Sequence, residues 1–409
     1  MKTIYADNNA TTPIAPEVYE AMIPYLTSEF YNPSSMYERA RGPAEAIGRA
    51  RRTIADALGG VSPDEIIFTG CATESNNAAL RGAAHANPAR RHIITSMVEH
   101  PAVLEVCKAM QREGHDVDFL PVDERGMLDV ADFVRALRPD TLIVSLMHGN
   151  NETGVLFPVE ELARITKETD PGILFHTDAT QTMGKLPIDL SGAFGHIDLL
   201  SFSGHKLHAP KGVGALFARR GAPVATFQIG GHQERGRRAG TENVAGIVAM
   251  AKACELSLGH MGDEVRLEAM RDRLERELVA RIPHTRVNGG GAPRLPNTLN
   301  VSFHYIEGES ILFQLDAAGI CASSGSACTS GSLEPSHVLR AMHVPHTAAH
   351  GSIRFSFSRY NTEQEIETII DKMPGVVAAL RKISPYWDSE RNVPREGPEI
   401  RAGGARAST

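Results

Sequence analysis

The feature that most constrains the fold is an alternation of short apolar runs with amphipathic segments over the first two-thirds of the chain. Helical patterns such as residues 75–85 and 102–113 lie between most of these runs. Seven runs have the length and composition of β-strands: residues 65–69, 92–96, 117–121, 141–147, 173–177, 199–202 and 212–218. This rhythm predicts an α/β fold with a mostly parallel, doubly wound sheet of seven strands. The last two strands lie too close together for a helical crossover, which predicts that they pair antiparallel.

The remaining third of the 409-residue chain predicts a second, smaller α+β domain. A charged helical pattern at residues 246–281 links the two units, and the alternation of strand and helix patterns then resumes. We expect a large domain at residues 16–255 and a small domain formed by residues 1–15 and 256–385. Residues 386–409 are expected to be a disordered tail.

Composition argues against several classes of protein. The formal net charge of −7 does not favour nucleic-acid binding, and no apolar run approaches the roughly 18–20 residues of a membrane span. The first residues do not resemble a secretory signal. The five cysteines, with no Cys-x-x-Cys among them, do not resemble a disulfide framework: Cys71, Cys107, Cys254, Cys321 and Cys328. We therefore expect a protein of the reducing cytoplasm without nucleic-acid or membrane partners.

Polar residues follow several predicted strands, and open α/β sheets bind ligands beyond the carboxyl ends of their strands. The first strand is followed by Gly70-Cys-Ala-Thr-Glu-Ser75 and then a helix. The free N–H groups at such a helix start suit a phosphate, and Thr73 adds a hydroxyl. Simple N-capping by Thr73 or Ser75 explains the same pattern equally well.

Three further strand ends carry ionisable residues. Asp178 could pair with a protonated pyridine nitrogen, although a structural cap is commoner for an isolated aspartate. Lys206 lies in a turn between two apolar strands, where a solvated charge is commoner than a Schiff-base lysine in a confined site. His100 could stack on a ring and exchange protons, or make a structural hydrogen bond. Each signal is weak alone, but they converge on one edge of the sheet, as does Asn151.

Cys328 lies in a Ser/Gly-rich run, residues 322–332, and not in an apolar pattern. Such a run has little local order, which is typical of an exposed and reactive thiol. A half-loop of about five residues could carry its tip on the order of 15 Å. A surface loop with an incidental cysteine remains the alternative.

Three long motifs resemble those of the NifS-type cysteine desulfurases, members of the class V aminotransferases among the pyridoxal phosphate (PLP) enzymes of fold type I. They are Ser-Gly-His-Lys-Leu-His-Ala-Pro-Lys-Gly at 203–212, Gly-Gly-His-Gln-Glu-Arg-Gly-Arg-Arg-Ala-Gly-Thr-Glu-Asn at 230–243, and Ser-Ser-Gly-Ser-Ala-Cys-Thr-Ser-Gly-Ser at 323–332. The match extends from Tyr5 to Trp387. The length of the cysteine loop resembles the NifS/IscS group more than the SufS group.

The resemblance implies a role for each matching position. Lys206 would hold PLP covalently, Cys328 would receive sulfur, and His100 would stack on the ring as acid and base. Asp178 would pair with the pyridine nitrogen and Gln181 with the phenolic oxygen. The other implied cofactor contacts are Ala72, Thr73, Asn151, Ser203 and His205, with Thr241 reaching the phosphate of a partner subunit. The residues implied to face the substrate are Asn32, Asn151 and Arg354.

The implied activity is removal of sulfur from L-cysteine, giving L-alanine and a persulfide on Cys328. The sulfur would pass to iron–sulfur cluster assembly for nitrogenase maturation, through a scaffold protein such as NifU. A homodimer is implied, and Cys328 could serve as a transient iron–sulfur ligand. A selenocysteine lyase or a general sulfur-relay desulfurase would share these residues. An aminotransferase would not need the loop thiol, and an iron–sulfur carrier would need more ligands than one cysteine.

Overall fold

The computed structural model describes residues 3–324 and 335–395. The strands are β1 Ile4–Tyr5, β2 Ile66–Thr69, β3 His92–Ser96, β4 Asp116–Leu120, β5 Thr141–Ser145, β6 Leu174–Asp178, β7 Leu199–Ser203, β8 Gly214–Ala218, β9 Thr285–Asn288, β10 Thr298–Phe303, β11 Ile320–Cys321, β12 Ser352–Ser356, β13 Trp387–Asp388 and β14 Val393–Pro394. The helices are α1 Pro16–Thr27, α2 Arg41–Ala57, α3 Ala72–Ala86, α4 Pro101–Arg112, α5 Val130–Ala136, α6 Val159–Thr169, α7 Val244–Gly259, α8 Asp263–Arg281, α9 Gly308–Ala317, α10 His337–Ala341, α11 His346–Ala349 and α12 Glu363–Ile383.

The large sheet has seven strands in the order β2-β8-β7-β6-β5-β3-β4. All neighbours are parallel except β8, which runs antiparallel to both β2 and β7. Strands β3, β5, β6 and β7 are buried along their whole length, as expected where helices cover both faces. The predicted α/β fold with its seven-stranded sheet is confirmed, including the antiparallel pair.

The helical pattern at residues 246–281 forms two helices. Helices α7 and α8 meet at an angle of 79° across His260–Gly262. Gly259 and Gly262 flank this break, and glycine is a poor helix former. Within the described residues no single helix is long and apolar enough to cross a membrane, and α7 and α8 meet that criterion only as a bent pair.

The second apolar core lies around a three-stranded antiparallel sheet in the order β12-β10-β9. Helices α8, α9 and α12 contribute to this core, as do Ile4 and Ala6 from the N-terminal segment. Strand β1 joins the same region by pairing parallel with β11. By contrast, Val338 and Leu339 of α10 pack into the core of the large domain. The division into residues 16–255 and 256–385 stays a prediction.

The predicted tail is ordered in its first part. Strands β13 and β14 pair antiparallel, and Trp387 is only 2% exposed. The guanidinium carbon of Arg381 lies 4.6 Å from the centroid of the Trp387 ring, a favourable cation–π contact. The prediction of disorder is therefore wrong for residues 386–395, because the indole finds packing partners. Residues 396–409 lie outside the described part.

Candidate active site

A cavity of about 470 Å³ opens at the carboxyl ends of the parallel strands. Asp178 ends β6 and Ser203 ends β7, and both side chains line the cavity. The predicted site residues that the structure brings together there are Ala72, Thr73, His100, Asn151, Asp178, Gln181, Ser203, His205, Lys206 and Arg354. The strand-end residues noted in the sequence thus share one cavity.

Three predicted residues are not in this group. Asn32 is exposed, and its side-chain oxygen accepts a hydrogen bond from the backbone N–H of Ser34 at 2.9 Å. Thr241 is also exposed and does not line the cavity of its own chain. Cys328 belongs to residues 325–334, outside the described part of the chain, as does the iron–sulfur ligand role predicted for it. Within the described residues no group of three or more His, Cys, Asp or Glu side chains could hold a metal ion.

One wall of the cavity is the N-terminus of α3. Cys71 is the N-cap and its side chain makes no capping hydrogen bond, whereas Thr73 and Ser75, the predicted capping residues, lie inside the helix. Ser75 instead exchanges a hydrogen bond with Thr69 at 2.8 Å. The buried hydroxyl of Ser203 has no partner among the described residues. Free N–H groups and an unpaired hydroxyl at a helix N-terminus fit a phosphate.

The Asp178 carboxylate is fixed by two donors. Its Oδ2 accepts from the side-chain amide of Asn76 at 2.7 Å, and its Oδ1 accepts from the backbone N–H of Thr180 at 2.9 Å. The side chain is largely buried yet lines the cavity. An oriented carboxylate in this position suits a cationic ring nitrogen.

His100 caps the N-terminus of α4. Its Nδ1 accepts a hydrogen bond from the backbone N–H of Ala102 at 3.1 Å. Burial lowers the pKa of His100, the positive charge of Lys206 lowers it further, and Asp178 opposes the change. The imidazole is therefore neutral near pH 7, and because Nδ1 is an acceptor, its proton is on Nε2.

Lys206 is held by backbone carbonyls of the N-terminal segment. Its Nζ donates to the oxygen of Asn9 at 2.6 Å and to that of Ala10 at 2.7 Å. Next to it, His205 Nδ1 lies 3.2 Å from the hydroxyl of Thr11. Burial and the neighbouring Lys206 lower the pKa of His205 to about 4, so this ring is also neutral.

Arg354 presents a cation in the opposite wall. Its Nη2 donates to Asp7 at 2.6 Å and its Nη1 donates to the backbone oxygen of Asn151 at 2.8 Å. Its Nε is buried and has no partner among the described residues. A guanidinium fixed by two acceptors, with an N–H left over, is suited to bind a carboxylate.

Sequence reasoning missed two buried glutamates at the cavity: Glu152 is one of its lining residues, and Glu99 lies next to His100 in the chain but does not line it. Burial raises the pKa of Glu99 to about 8, against hydrogen bonds from the Met147 N–H and the Ser96 hydroxyl. Burial likewise raises the pKa of Glu152 to about 7, against a hydrogen bond from Ser336. Each directly precedes or follows a predicted site residue, His100 or Asn151, but neither has a pattern of its own in the sequence.

Both flanks of the cysteine segment are fixed to the cavity wall. On one side Ser323 pairs with Arg354, whose backbone N–H donates to the Ser323 oxygen at 2.6 Å. On the other side the Ser336 hydroxyl donates to Glu152 at 2.5 Å. Cys328 is four residues beyond Ser324, which lines the cavity. At full extension, the two Cα atoms can be at most about 14 Å apart.

Comparisons with known proteins agree with this geometry. The family model for aminotransferase class V matches residues 4–369. The chain is 53% identical to a cysteine desulfurase of Trichormus azollae over 95% of this chain and 96% of that protein. It is 51% identical to the cysteine desulfurase NifS of Azotobacter vinelandii over 97% and 98% of the two chains. A solved structure of a NifS-like protein superposes with a TM-score of 0.86 at 38% identity, covering 92% of this chain and all of that one.

Proposed function

The chain belongs to the aminotransferase class-V family, and to the cysteine desulfurases within it, and we propose that it transfers sulfur from L-cysteine to its own Cys328. The reaction gives L-alanine and a persulfide on Cys328. The observation that carries the proposal is the cavity that joins Lys206, Asp178 and Arg354. One flank of the cysteine segment lines this cavity at Ser323 and Ser324, and the other is bonded through Ser336 to the lining residue Glu152.

The families to which the chain belongs depend on PLP. We propose that the N-terminus of α3, with Ala72, Thr73 and Ser203, holds the phosphate. Asp178 would pair with the ring nitrogen, and Lys206 would bind the cofactor covalently. When bound, PLP supplies a sink for the electrons of the substrate α-carbon. The unpaired Ser203 hydroxyl and the oriented Asp178 carboxylate support this fit.

The protein side chains then bind the substrate and move protons. Arg354 would hold the substrate carboxylate through its unpaired Nε, with Asn151 beside it. His100 would stack on the ring and serve as acid and base, and burial lowers its pKa so that the ring is ready to take up a proton. Lys206, once displaced, is the second base within the cavity.

The sulfur step balances without an external oxidant. The Cys328 thiolate attacks the substrate sulfur, the carbon–sulfur bond breaks, and its electron pair stays with the carbon skeleton that takes up protons to become alanine. The transferred sulfur remains on Cys328. The fixed flanks at Ser323 and Ser336 support this role, because they keep the cysteine within reach of the cavity.

We propose a homodimer in which Thr241 of each subunit contacts the phosphate in the other. Thr241 is exposed and lies away from the cavity of its own chain. Large apolar side chains, including Leu26, Phe30 and Met36, are exposed at the end of α1 and beyond it. Several large apolar side chains exposed over one short stretch of chain are consistent with a surface covered by a partner.

The persulfide sulfur would pass to iron–sulfur cluster assembly for nitrogenase in the cytoplasm. A scaffold of the NifU type is the proposed recipient. The similarity to the Azotobacter vinelandii NifS supports this assignment. Pull-down with such a scaffold, with and without Cys328, tests the partnership.

Mass spectrometry of the Cys328 peptide after treatment with L-cysteine tests the reaction. We expect a gain of one sulfur atom on Cys328, together with alanine formation. Cys328→Ala should keep the yellow absorbance of the cofactor and lose sulfide release, whereas Lys206→Ala should lose the absorbance. Substantial sulfide release by Cys328→Ala would refute the role of Cys328.

A further inference from the structure

Lys185 lies behind Gln181 and contacts its side-chain amide. The Nζ of Lys185 donates to Gln181 Oε1 at 3.1 Å. At the other end of the amide, Gln181 Nε2 donates to the backbone oxygen of Asn9 at 3.0 Å. The same Asn9 oxygen accepts from Lys206 Nζ at 2.6 Å. The amide nitrogen of Gln181 therefore faces Lys206, and its oxygen faces Lys185.

The two ends of an amide have nearly the same shape but opposite hydrogen-bonding chemistry. If the amide turned over, its oxygen would face the Asn9 carbonyl oxygen and its NH₂ group would face the Lys185 ammonium. The contact with Asn9 would be repulsive at any pH, because neither carbonyl oxygen can donate. The contact with Lys185 would be repulsive while Lys185 is charged, because an ammonium cannot accept. Lys185 and Asn9 thus favour one orientation from opposite sides.

We propose that Lys185 is a positioning residue that keeps the N–H donors of Gln181 directed at the phenolic oxygen of the cofactor. The inference rests on the proposed function, in which Gln181 contacts that oxygen. Lys185 itself would not touch the cofactor. It would act by holding the amide of Gln181 in the orientation that presents a donor.

The surroundings of Lys185 disfavour its charged form, so its contact with Gln181 is the interaction that stabilises the ammonium. Burial lowers the pKa of Lys185 to about 7, and repulsion from Lys206 and Arg354 contributes. In the described part of the chain no carboxylate lies within ion-pair distance of its Nζ. The other titratable groups that line a small cavity of about 60 Å³ beside it are Lys206, His208, His260, Asp263, Glu264 and Arg359. The Gln181 oxygen is the partner that compensates for this partly buried charge.

The test is the pH midpoint of the change in visible absorbance of the Lys206-bound cofactor, measured on the holoenzyme. A donor to the phenolate oxygen stabilises the form that has lost its proton. Lys185→Met should therefore move the midpoint to higher pH by about one unit, the scale of a hydrogen bond to a charged group. Lys185→Arg keeps a cationic donor and should titrate like the wild type.

A double-mutant cycle separates positioning from a direct effect of the charge on Lys206. Gln181→Leu should raise the midpoint by itself, and adding Lys185→Met to it should then change little. If Lys185→Met shifts the midpoint as much with Leu at position 181 as it does with Gln, the positioning role is overturned. A wild-type enzyme without visible cofactor absorbance would instead refute the proposed function.

Discussion

Glu99→Gln should remove a large part of the pH dependence of stability. Glu99 is fully buried, and burial raises the pKa of its carboxyl from 4.5 to about 8. The folded protein therefore holds a proton at Glu99 that the unfolded chain releases once the pH exceeds about 4.5. Folding becomes less favourable as the pH rises from there through the folded pKa, and the loss levels off above about 8.

The magnitude follows from the two pKa values. Between pH 6 and pH 8 the unfolded chain is already ionised at Glu99, while the folded chain goes from protonated to about half ionised. The wild type should lose about 2 kcal/mol of unfolding free energy from this residue over that interval. Glutamine cannot ionise, and its oxygen can keep the hydrogen bonds from the Ser96 hydroxyl at 2.7 Å and the Met147 N–H at 3.0 Å.

Urea unfolding of the holoenzyme at pH 6 and pH 8, followed by circular dichroism, measures the effect. We expect Glu99→Gln to lose about 2 kcal/mol less than the wild type between the two pH values. Glu161→Gln, at an exposed position of α6, is the matched control and should behave like the wild type. If Glu99→Gln and wild type lose the same free energy, Glu99 is not protonated in the folded protein at pH 6.

Three further changes test the site. Gly214→Ala should weaken PLP binding to the apoenzyme about tenfold, because the new Cβ would lie 2.7 Å from the carbonyl carbon of Cys71 at the start of α3. Gly375→Ala is the control, because a Cβ at that position would have no neighbouring atom within 4 Å. Arg354→Lys should raise the KM for L-cysteine tenfold or more with a smaller change in kcat, because a lysine here cannot contact both Asp7 and the substrate carboxylate. An unchanged KM would contradict this role of Arg354. Mixed dimers of Thr241→Ala and Lys206→Ala subunits should contain one intact site each, and a mixture that binds PLP no better than its parents would argue against an intersubunit contact.

The sequence predicts those parts of the site that lie at strand ends. Asp178 and Ser203 end consecutive parallel strands, so their shared edge follows from the sheet itself. The residues that hold Lys206 could not be found in this way. Asn9 and Ala10 act through backbone carbonyls, whose position no side-chain pattern reveals. Asn76 was missed because it lies within a helix, where its contact with Asp178 depends on how α3 packs.

The same limit applies to long-range packing. The sequence predicts disorder for residues 386–395, whereas in the structure they are ordered by contacts such as that between Trp387 and Arg381. The break between α7 and α8, by contrast, coincides with a local sequence feature, the glycines at positions 259 and 262. Local chemistry could be read directly, whereas contacts between distant segments needed the fold.

The N-terminal segment has a consequence for the order of events during synthesis. Asp7 binds Arg354, and the backbone N–H of Asn8 donates to the oxygen of Ser356, so the segment that holds Lys206 is itself held by β12. At about 5–20 residues per second, a ribosome needs on the order of 20–70 s between making the two. During this time Asp7 and Asn8 lack their partners in β12. A nascent chain therefore cannot complete the pocket around Lys206 until β12 has been made.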